Sequence, residues 1–344
     1  MQREITQPGK LLDERGCLAQ AGYAKRLLLD YDRAAIGAAR HRIKEWDYYL
    51  VANLDYAVAL TVADNSYMGL MSASLLDFRA PAWEQTTSVM TAFPWGKTGL
   101  PASSAAGDTE FHNKRCDFSF RHVNGGRCLT FRLDQFKDGK PFVCDIELLG
   151  GPDESMVIMT PYKEEKKAFY YNQKINCMPA RGSATFDGKT YQFAPEDAFG
   201  TLDWGRGVWT YSNTWYWGSL NAVVDGKPFG FNIGYGFGDT SAASENMLFY
   251  DGKAHKLEQV SFIIPQKDGK DDFLSPWTFT SSDGRFEMNF TPVLDRAACT
   301  NALVILSDQH QVFGRFSGTA VLDDGTRLEL HDALGFAEKV HNKW

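Results

Sequence analysis

Apolar and polar residues alternate over most of the chain, in short runs that are separated by tight turns. Segments such as SATFDGKTYQFA, NAVVDGKPFGFNI and TAVLDDGTRLELH place an Asp-Gly pair between two such runs. Alternation with a period of two is typical of a strand with one buried face, and Asp-Gly tolerates the positive φ angles of a two-residue hairpin turn. The seven Asp-Gly pairs of the chain therefore predict a succession of antiparallel hairpins.

Helical periodicity is nearly missing from the sequence. The best candidate for a helix is YDRAAIGAARHRIKEW, residues 31–46, with Asp32 as its N-cap. Parallel strands need crossover helices, so the predicted sheets are antiparallel. Since many strands must avoid exposed edges, the sequence predicts a mostly β fold of two tandem antiparallel barrel-like domains with little helix. The 344 residues suffice for two such domains, which we place at residues 1–185 and 186–344.

Charge and composition limit the possible partners and cofactors. The net charge is −7 and no basic patch is evident, which disfavours nucleic acid as a partner. No apolar run is long enough to span a bilayer, and the first residues lack the apolar core of a signal peptide, so we expect no membrane insertion and a cytoplasmic location. The six cysteines show no metal-site spacing. We expect reduced thiols, no metal and no cofactor.

The segment DWGRGVWTYSNTWYWGS, residues 203–219, contains four tryptophans, two tyrosines, one acid and one arginine. In extended backbone its side chains alternate between two faces, and Gly205 and Gly207 suggest a bulge or a close approach beside Arg206. An acid among indole rings is a candidate proton donor, because apolar surroundings raise the pKa of a carboxyl. We therefore take Asp203 as the candidate acid, and Arg206 as the group that orients it or binds an anionic substrate.

A structural interpretation of the same segment stays open, in which the rings form a core and Asp203 pairs with Arg206. We favour a cavity inside a barrel, because a core has little need of a guanidinium and a salt bridge has little need of four tryptophans. In FGFNIGYGFGD, evenly spaced glycines leave one face bare, so something must pack closely there. Glu245 is a further candidate catalytic residue, near a barrel rim. The candidate ligand contacts are Trp204, Trp209, Tyr211, Trp215, Trp217 and Asn246.

Five segments carry a resemblance to a known family: RIKEWDYYLV, KINCMPARGSATFDGKTYQF, LDWGRGVWTYSNTWYWGS, SENMLFYDGKAHKL and LGFAEKVHNKW. They resemble the DUF2804 family of bacterial proteins over essentially the whole chain. More distantly, the tryptophan motif is similar to the lipocalin-like superfamily of AttH-like proteins, carotenoid hydratases, tocopherol cyclase and some Diels-Alder cyclases. This resemblance implies two tandem lipocalin-like β-barrels that act on hydrophobic, unsaturated substrates without a cofactor. Asp203 and Trp204 match its acid-plus-indole position, whereas Arg206 and the lack of a histidine in the motif depart from it.

Three functions are compatible with these observations. The first is a cofactor-independent hydratase, isomerase or cyclase that binds a small, partly hydrophobic molecule and uses Asp203 as its acid. The second is a non-catalytic, lipocalin-like protein that binds the same kind of molecule. The third is a carbohydrate-active protein, in which tryptophans stack on sugar rings and Asp203 pairs with Glu245 or Glu338 as a second carboxylate. In each case the expected partner is a small molecule.

Overall fold

The computed structural model describes residues 2–302 and 305–343, which form β-strands and two 3₁₀ helices, Arg33–Ala35 and Arg40–Arg42. The first fifteen strands are β1 (Gly9–Lys10), β2 (Gly22–Ala24), β3 (Leu29–Asp30), β4 (Ile43–Ala52), β5 (Tyr56–Asp64), β6 (Met68–Asp77), β7 (Trp83–Ala92), β8 (Thr109–His112), β9 (Cys116–Val123), β10 (Gly126–Lys137), β11 (Lys140–Leu148), β12 (Met156–Pro161), β13 (Phe169–Phe186), β14 (Lys189–Phe193) and β15 (Phe199–Val208). The others are β16 (Ser212–Val224), β17 (Lys227–Tyr235), β18 (Met247–Tyr250), β19 (Lys253–Lys256), β20 (Val260–Ile263), β21 (Gln266–Lys267), β22 (Lys270–Asp271), β23 (Trp277–Ser281), β24 (Phe286–Ala302), β25 (Ile305–Val321) and β26 (Arg327–Lys343).

Two large antiparallel sheets account for most of these strands. The first has the order β7-β6-β5-β4-β15-β13-β11-β10-β9-β8, with β12 and β14 paired to β13 and β2 paired to β12. The second has the order β19-β18-β17-β16-β26-β25-β24-β23-β20. Both sheets curl into half-barrels, so the predicted mostly β fold with two barrel-like domains is confirmed. None of the helices in the described ranges is long and apolar enough to cross a membrane.

The Asp-Gly turns behave as the sequence predicts. In five of the seven pairs, both residues have positive φ angles, and each of these pairs joins two neighbouring antiparallel strands. The turns lie between β10 and β11, β13 and β14, β16 and β17, β18 and β19, and β21 and β22. Aspartate and glycine accept this backbone conformation at low cost, so these turns fix much of the hairpin register.

The helix predicted for residues 31–46 is wrong. Asp32 does cap a helix, since its carboxylate accepts from the Ala34 N–H, but this helix is a 3₁₀ turn of three residues. Gly37 lies where a Cβ would come within 2.4 Å of the Arg15 carbonyl oxygen, so a neighbouring loop packs against this backbone. From Ile43 onwards the chain forms β4, which pairs with β5 and β15 along its length. Tertiary pairing here overrides the helical propensity of the alanines and arginines.

The chain changes from one sheet to the other between β15, which ends at Val208, and β16, which begins at Ser212. The boundary between folding units that we place at residues 185 and 186 falls inside β13 and stays a prediction. The aromatic segment 203–219 therefore crosses from the first sheet to the second.

The two sheets pack against each other through faces that point away from their own barrel interiors. The interior of the second barrel is filled by a cluster of phenylalanines, leucines and other apolar side chains, among them Phe231 and Phe316. Trp217 and Phe336 lie on the opposite face of the second sheet and pack with the core of the first domain. Because side chains alternate along a strand, each central strand contributes to both its barrel and the interface.

Candidate functional site between the sheets

Asp203 lies in this interface as half of a buried ion pair. Lys174 is its direct neighbour across the β13–β15 ladder, and the Lys174 Nζ lies 2.8 Å from Asp203 Oδ1. The Asn172 amide donates a second hydrogen bond to the same oxygen, at 2.6 Å. The ammonium also sits 3.7 Å from the centre of the Trp217 ring. The Lys174 ammonium thus lies between an acceptor carboxylate and a π face, and its side chain is only 2% exposed.

Arg206 points the other way, so the predicted association of Asp203 with Arg206 is wrong. An odd offset of three along an extended strand places the two side chains on opposite faces. The Arg206 Nη2 contacts Asp47 Oδ1 at 3.0 Å and the Pro101 carbonyl oxygen at 2.7 Å. Its guanidinium carbon lies 4.3 Å from the centre of the Trp204 ring. Arg206 and Trp204 are therefore packed inside the first barrel, away from the interface.

Glu338 on β26 is the acid of the second sheet that faces the same interface. Its Oε1 accepts a hydrogen bond from the Trp215 indole N–H at 3.0 Å, and its Oε2 accepts one from the Gln311 amide at 3.0 Å. Burial raises the pKa of Glu338 to about 7, although the Trp215 hydrogen bond and the Lys174 charge act in the opposite direction. A carboxyl with this pKa exchanges its proton near neutral pH.

Glu245 is a second buried carboxyl, held in the loop that follows β17. Its Oε1 packs against Gly234, where a Cβ would lie 3.0 Å away. The predicted close approach to a glycine of β17 is thus made by this carboxylate. Burial raises the pKa of Glu245, with Lys174 acting against the shift. The Asn232 amide donates to the Glu245 carbonyl oxygen at 2.9 Å, and Asn232 Oδ1 accepts from the Trp217 indole at 2.7 Å.

Asn246 has a structural rather than a ligand-facing position. Its Oδ1 accepts from the Gly234 N–H at 2.7 Å, and its Nδ2 donates to the Glu258 carbonyl oxygen at 2.9 Å. These two bonds fix the loop that carries Glu245, so Asn246 helps to position the Glu245 side chain through the loop backbone.

The remaining aromatic side chains form a packed layer beside the acids. Trp209 lies 5.5 Å from Trp215 and 5.2 Å from Trp46, measured between ring centres. The Trp46 indole covers Gly205, where a Cβ would be 2.0 Å from the ring, so the predicted close approach at this glycine is present. Tyr211 is 55% exposed, unlike the four buried tryptophans of the segment. Buried rings of this kind do not favour the carbohydrate interpretation, which needs an indole face open to a cleft.

A cavity of about 290 Å³ opens between the sheets, and its wall does not include Asp203, Glu245 or Glu338. Its walls are mainly apolar and include Leu50, Thr201 and Phe336. Leu50, Thr201 and Phe336 are each two residues from a polar residue of the interface, namely Tyr48, Asp203 and Glu338, respectively. Residues two apart on a strand point to the same face and are separated by about 6.6 Å. The cavity also contains Ser219 but none of the four tryptophans, so they do not line it as predicted. A second cavity of about 600 Å³ at Thr210–Thr214 and the Gly236–Thr240 loop is more open, and it too excludes the tryptophans.

Sequence reasoning missed several residues of this site. Lys174, Tyr48, Gln311 and Asn172 lie on three different strands, and no local motif distinguishes them from other polar residues of the sheets. Only the pairing register brings Lys174 and Tyr48 to either side of Asp203. Within residues 2–302 and 305–343, no group of three or more His, Cys, Asp or Glu side chains could hold a metal ion.

Two curled antiparallel half-barrel sheets with buried acids between them make this a mostly β protein with two barrel-like domains. Among solved structures, the chain is similar to an AttH-like protein from Nitrosomonas europaea, with a TM-score of 0.51 and 13% identity over 88% of this chain and 93% of that one. It is also similar to kievitone hydratase from Nectria haematococca, with a TM-score of 0.50 and 12% identity over 87% and 88% of the two chains. At these identities the likeness shows the fold.

The family model for the domain of unknown function DUF2804 matches residues 2–344, and the chain belongs to this family. No curated protein matches its sequence significantly.

Proposed function

We propose that this protein is a cofactor-independent enzyme that transfers protons to and from a small, partly hydrophobic molecule, in a hydration, an isomerisation or a cyclisation. The observation that carries the proposal is Glu338, a buried carboxyl with a pKa of about 7 that lies two residues along β26 from Phe336 in the wall of the apolar cavity. General acids work best when their pKa lies near the working pH. Carboxyls with strongly shifted pKa values also concentrate at functional sites.

In this proposal the acid is Glu338 rather than Asp203. Asp203 accepts hydrogen bonds from the Lys174 ammonium and from an amide, both of which stabilise a carboxylate. Its negative charge suits the stabilisation of positive charge that develops on a protonated substrate. Two carboxyls in different surroundings, one desolvated and one ion-paired, are the arrangement that acid–base catalysis uses.

Glu245 supplies a second buried carboxyl near Lys174. The Lys174 charge acts on the carboxyls of both Glu245 and Glu338, so the ammonium lies near both acids. We assign Glu245 to the same proton-transfer site, with Asn232 and Asn246 as the residues that position its loop.

One structural neighbour is, by its name, a hydratase, which agrees with hydration as one of the candidate reactions. A non-catalytic binding protein would need the apolar cavity but would have no use for a buried acid with a raised pKa. An experiment that detects proton transfer, rather than binding, therefore separates an enzyme from a binding protein.

The test is a solvent-label experiment with a small-molecule cell extract. The protein is incubated with the extract in H₂¹⁸O or in D₂O, and the mixture is analysed by mass spectrometry. An enzyme of the proposed type consumes a compound and forms a product that differs by one labelled water, or an isomer that carries solvent deuterium. Glu338→Gln should slow this conversion by about 100-fold or more.

Glu329→Gln is the matched control, because Glu329 is an exposed glutamate on the same strand. It should convert the compound as fast as the unmodified protein. A compound that binds and is recovered unlabelled would contradict the enzyme and support a binding protein. Equal rates for both variants would remove Glu338 from the mechanism.

A further inference from the structure

A row of three polar side chains crosses the second sheet at the level of the acid. Arg296 on β24 lies opposite Gln311 on β25, and Gln311 lies opposite Glu338 on β26. Directly paired residues in an antiparallel sheet point to the same face. The row therefore faces the first sheet, and the Gln311 amide bonded to Glu338 shows that these two members are in contact.

Tyr48 approaches this row from the first sheet. The charges of Arg296 and Glu338 act on the pKa of its hydroxyl, and the Gln311 side chain lies near enough to act on that pKa as a loose hydrogen-bond partner. Burial raises that pKa to about 12, so the phenol keeps its proton at neutral pH and is a hydrogen-bond donor. The ring packs edge-on against Trp217, which holds the hydroxyl towards the second sheet.

Three buried polar atoms in this place have no hydrogen-bond partner of normal geometry among the described residues: the Tyr48 hydroxyl, Gln311 Oε1 and Arg296 Nη1. Tyr48 is 7% and Gln311 5% exposed, so water reaches neither side chain freely. A buried polar atom without a partner costs about 1–3 kcal/mol, and proteins rarely leave one unpaired. Three such atoms around one carboxyl indicate a place that is built to bind a polar group.

The chemistry of the three atoms defines that group. Arg296 Nη1 and the Tyr48 hydroxyl are donors, whereas Gln311 Oε1 is an acceptor because its amide nitrogen is already bonded to Glu338. A carbonyl oxygen can accept from both donors. A hydroxyl can accept from one of them and donate to Gln311. A hydrocarbon would leave all three atoms unpaired.

The walls next to this row are apolar. Leu50 and Phe313 lie two positions from Tyr48 and Gln311 on the same strand faces, and both line the cavity of about 290 Å³. Tyr48, Gln311 and Arg296 are not themselves in the cavity wall, so a ligand reaches the unpaired atoms by extending roughly 6.6 Å beyond Leu50 and Phe313.

We infer that Arg296, Gln311 and Tyr48 form an oxygen subsite, which binds a carbonyl or hydroxyl oxygen of the ligand beside Glu338. The substrate class is then an oxygenated hydrophobic molecule rather than a pure hydrocarbon. This inference rests on the proposed function only in that both place the ligand in the interface beside Glu338.

The test uses two probes that differ in a single group, butyrophenone and butylbenzene. Their affinities are measured by isothermal titration calorimetry or by saturation-transfer NMR. The unmodified protein should bind the ketone about tenfold more tightly than the hydrocarbon, because two donors gain a partner. Tyr48→Phe should lose most of this preference through weaker binding of the ketone, while its affinity for butylbenzene stays the same or rises.

Tyr162→Phe is the matched control, since Tyr162 is also buried with an unpaired hydroxyl but lines the other cavity. It should keep the preference for the ketone. Equal binding of the two probes by the unmodified protein, or an unchanged preference in Tyr48→Phe, would overturn the oxygen subsite. Neither outcome affects the solvent-label experiment, so the failure of this inference and that of the proposed function are distinguishable.

Discussion

Two hydrogen bonds, from Trp215 and Gln311, hold the Glu338 carboxyl in a place that bulk water hardly reaches. The nearby cation does not neutralise it, because the Lys174 Nζ lies 2.8 Å from Asp203 instead. Each of the two carboxyls thus has a distinct environment, one desolvated and one ion-paired. At the scale of single residues, this difference between the two carboxyls is what suits the interface to proton transfer.

The raised pKa of Glu338 has a consequence for stability. The carboxyl holds its proton up to about pH 7 in the folded protein but only to about 4.5 when unfolded, so its contribution to stability is present below pH 4.5 and is lost as the pH rises through 7. We predict that the free energy of unfolding of the unmodified protein, relative to Glu338→Gln, falls by roughly 3 kcal/mol across this window.

Urea unfolding followed by circular dichroism between pH 4.5 and 8 measures this difference. Taking the difference between the two proteins removes the contribution of groups that titrate alike in both. Parallel curves would show that Glu338 has an ordinary pKa in the folded state.

At the scale of elements, β15 serves two environments with alternate residues. Trp204 and Arg206 point into the first barrel, whereas Asp203 and Gly205 face the second sheet. The glycine matters because the Trp46 indole from β4 lies directly on its backbone. A side chain at this position would separate the aromatic layer from the strand.

We predict that Gly205→Ala destabilises the protein by about 2 kcal/mol or more, because the added Cβ would lie 2.0 Å from the Trp46 ring. Gly151→Ala is the matched control. A Cβ there would meet its nearest neighbour at 3.9 Å, so its effect should stay within about 0.5 kcal/mol. Chemical denaturation of both variants gives the comparison, and equal stabilities would mean that Trp46 moves aside without cost.

At the scale of the whole molecule, buried hydrogen bonds between β13 and β16 connect the two sheets. Asn176 lies at an irregularity of β13, and its Nδ2 lies within hydrogen-bonding distance of Ser219 Oγ, at 2.8 Å, and of Asn221 Oδ1, at 3.1 Å, both on β16. The Cys177 N–H also donates to Asn221 Oδ1, at 2.8 Å. These bonds join the two sheets where the cavity begins.

We predict that the two domains unfold in one transition and that Asn176→Ala shifts that transition as a whole. The loss of a buried amide that bridges both sheets should lower stability by about 1–3 kcal/mol. Asn289→Ala, at an exposed position of β24, should have little effect. Circular dichroism and tryptophan fluorescence should give coincident urea curves. Two separate transitions, with only one moved by Asn176→Ala, would contradict this prediction.

Much of the fold follows from local sequence. The Asp-Gly turns and the two-residue alternation predict the hairpins, because turn conformation and the pleat depend on neighbouring residues only. The same alternation already separates Asp203 from Arg206, which makes their predicted association a misreading of that pattern. The helix expected at residues 31–46 failed because a local propensity could not indicate that Ile43–Ala52 pairs on both sides.

The sequence by itself determined an antiparallel β protein with an aromatic segment around Asp203, since those features depend on residue type and short-range spacing. Only the tertiary structure decided the partners: Lys174 for Asp203, Asp47 for Arg206, and Trp215 for Glu338, which is 123 residues away in the chain. Strand register and sheet packing depend on all the strands together. The shifted pKa of Glu338 arises from burial in that interface, a property that no segment of the chain has alone.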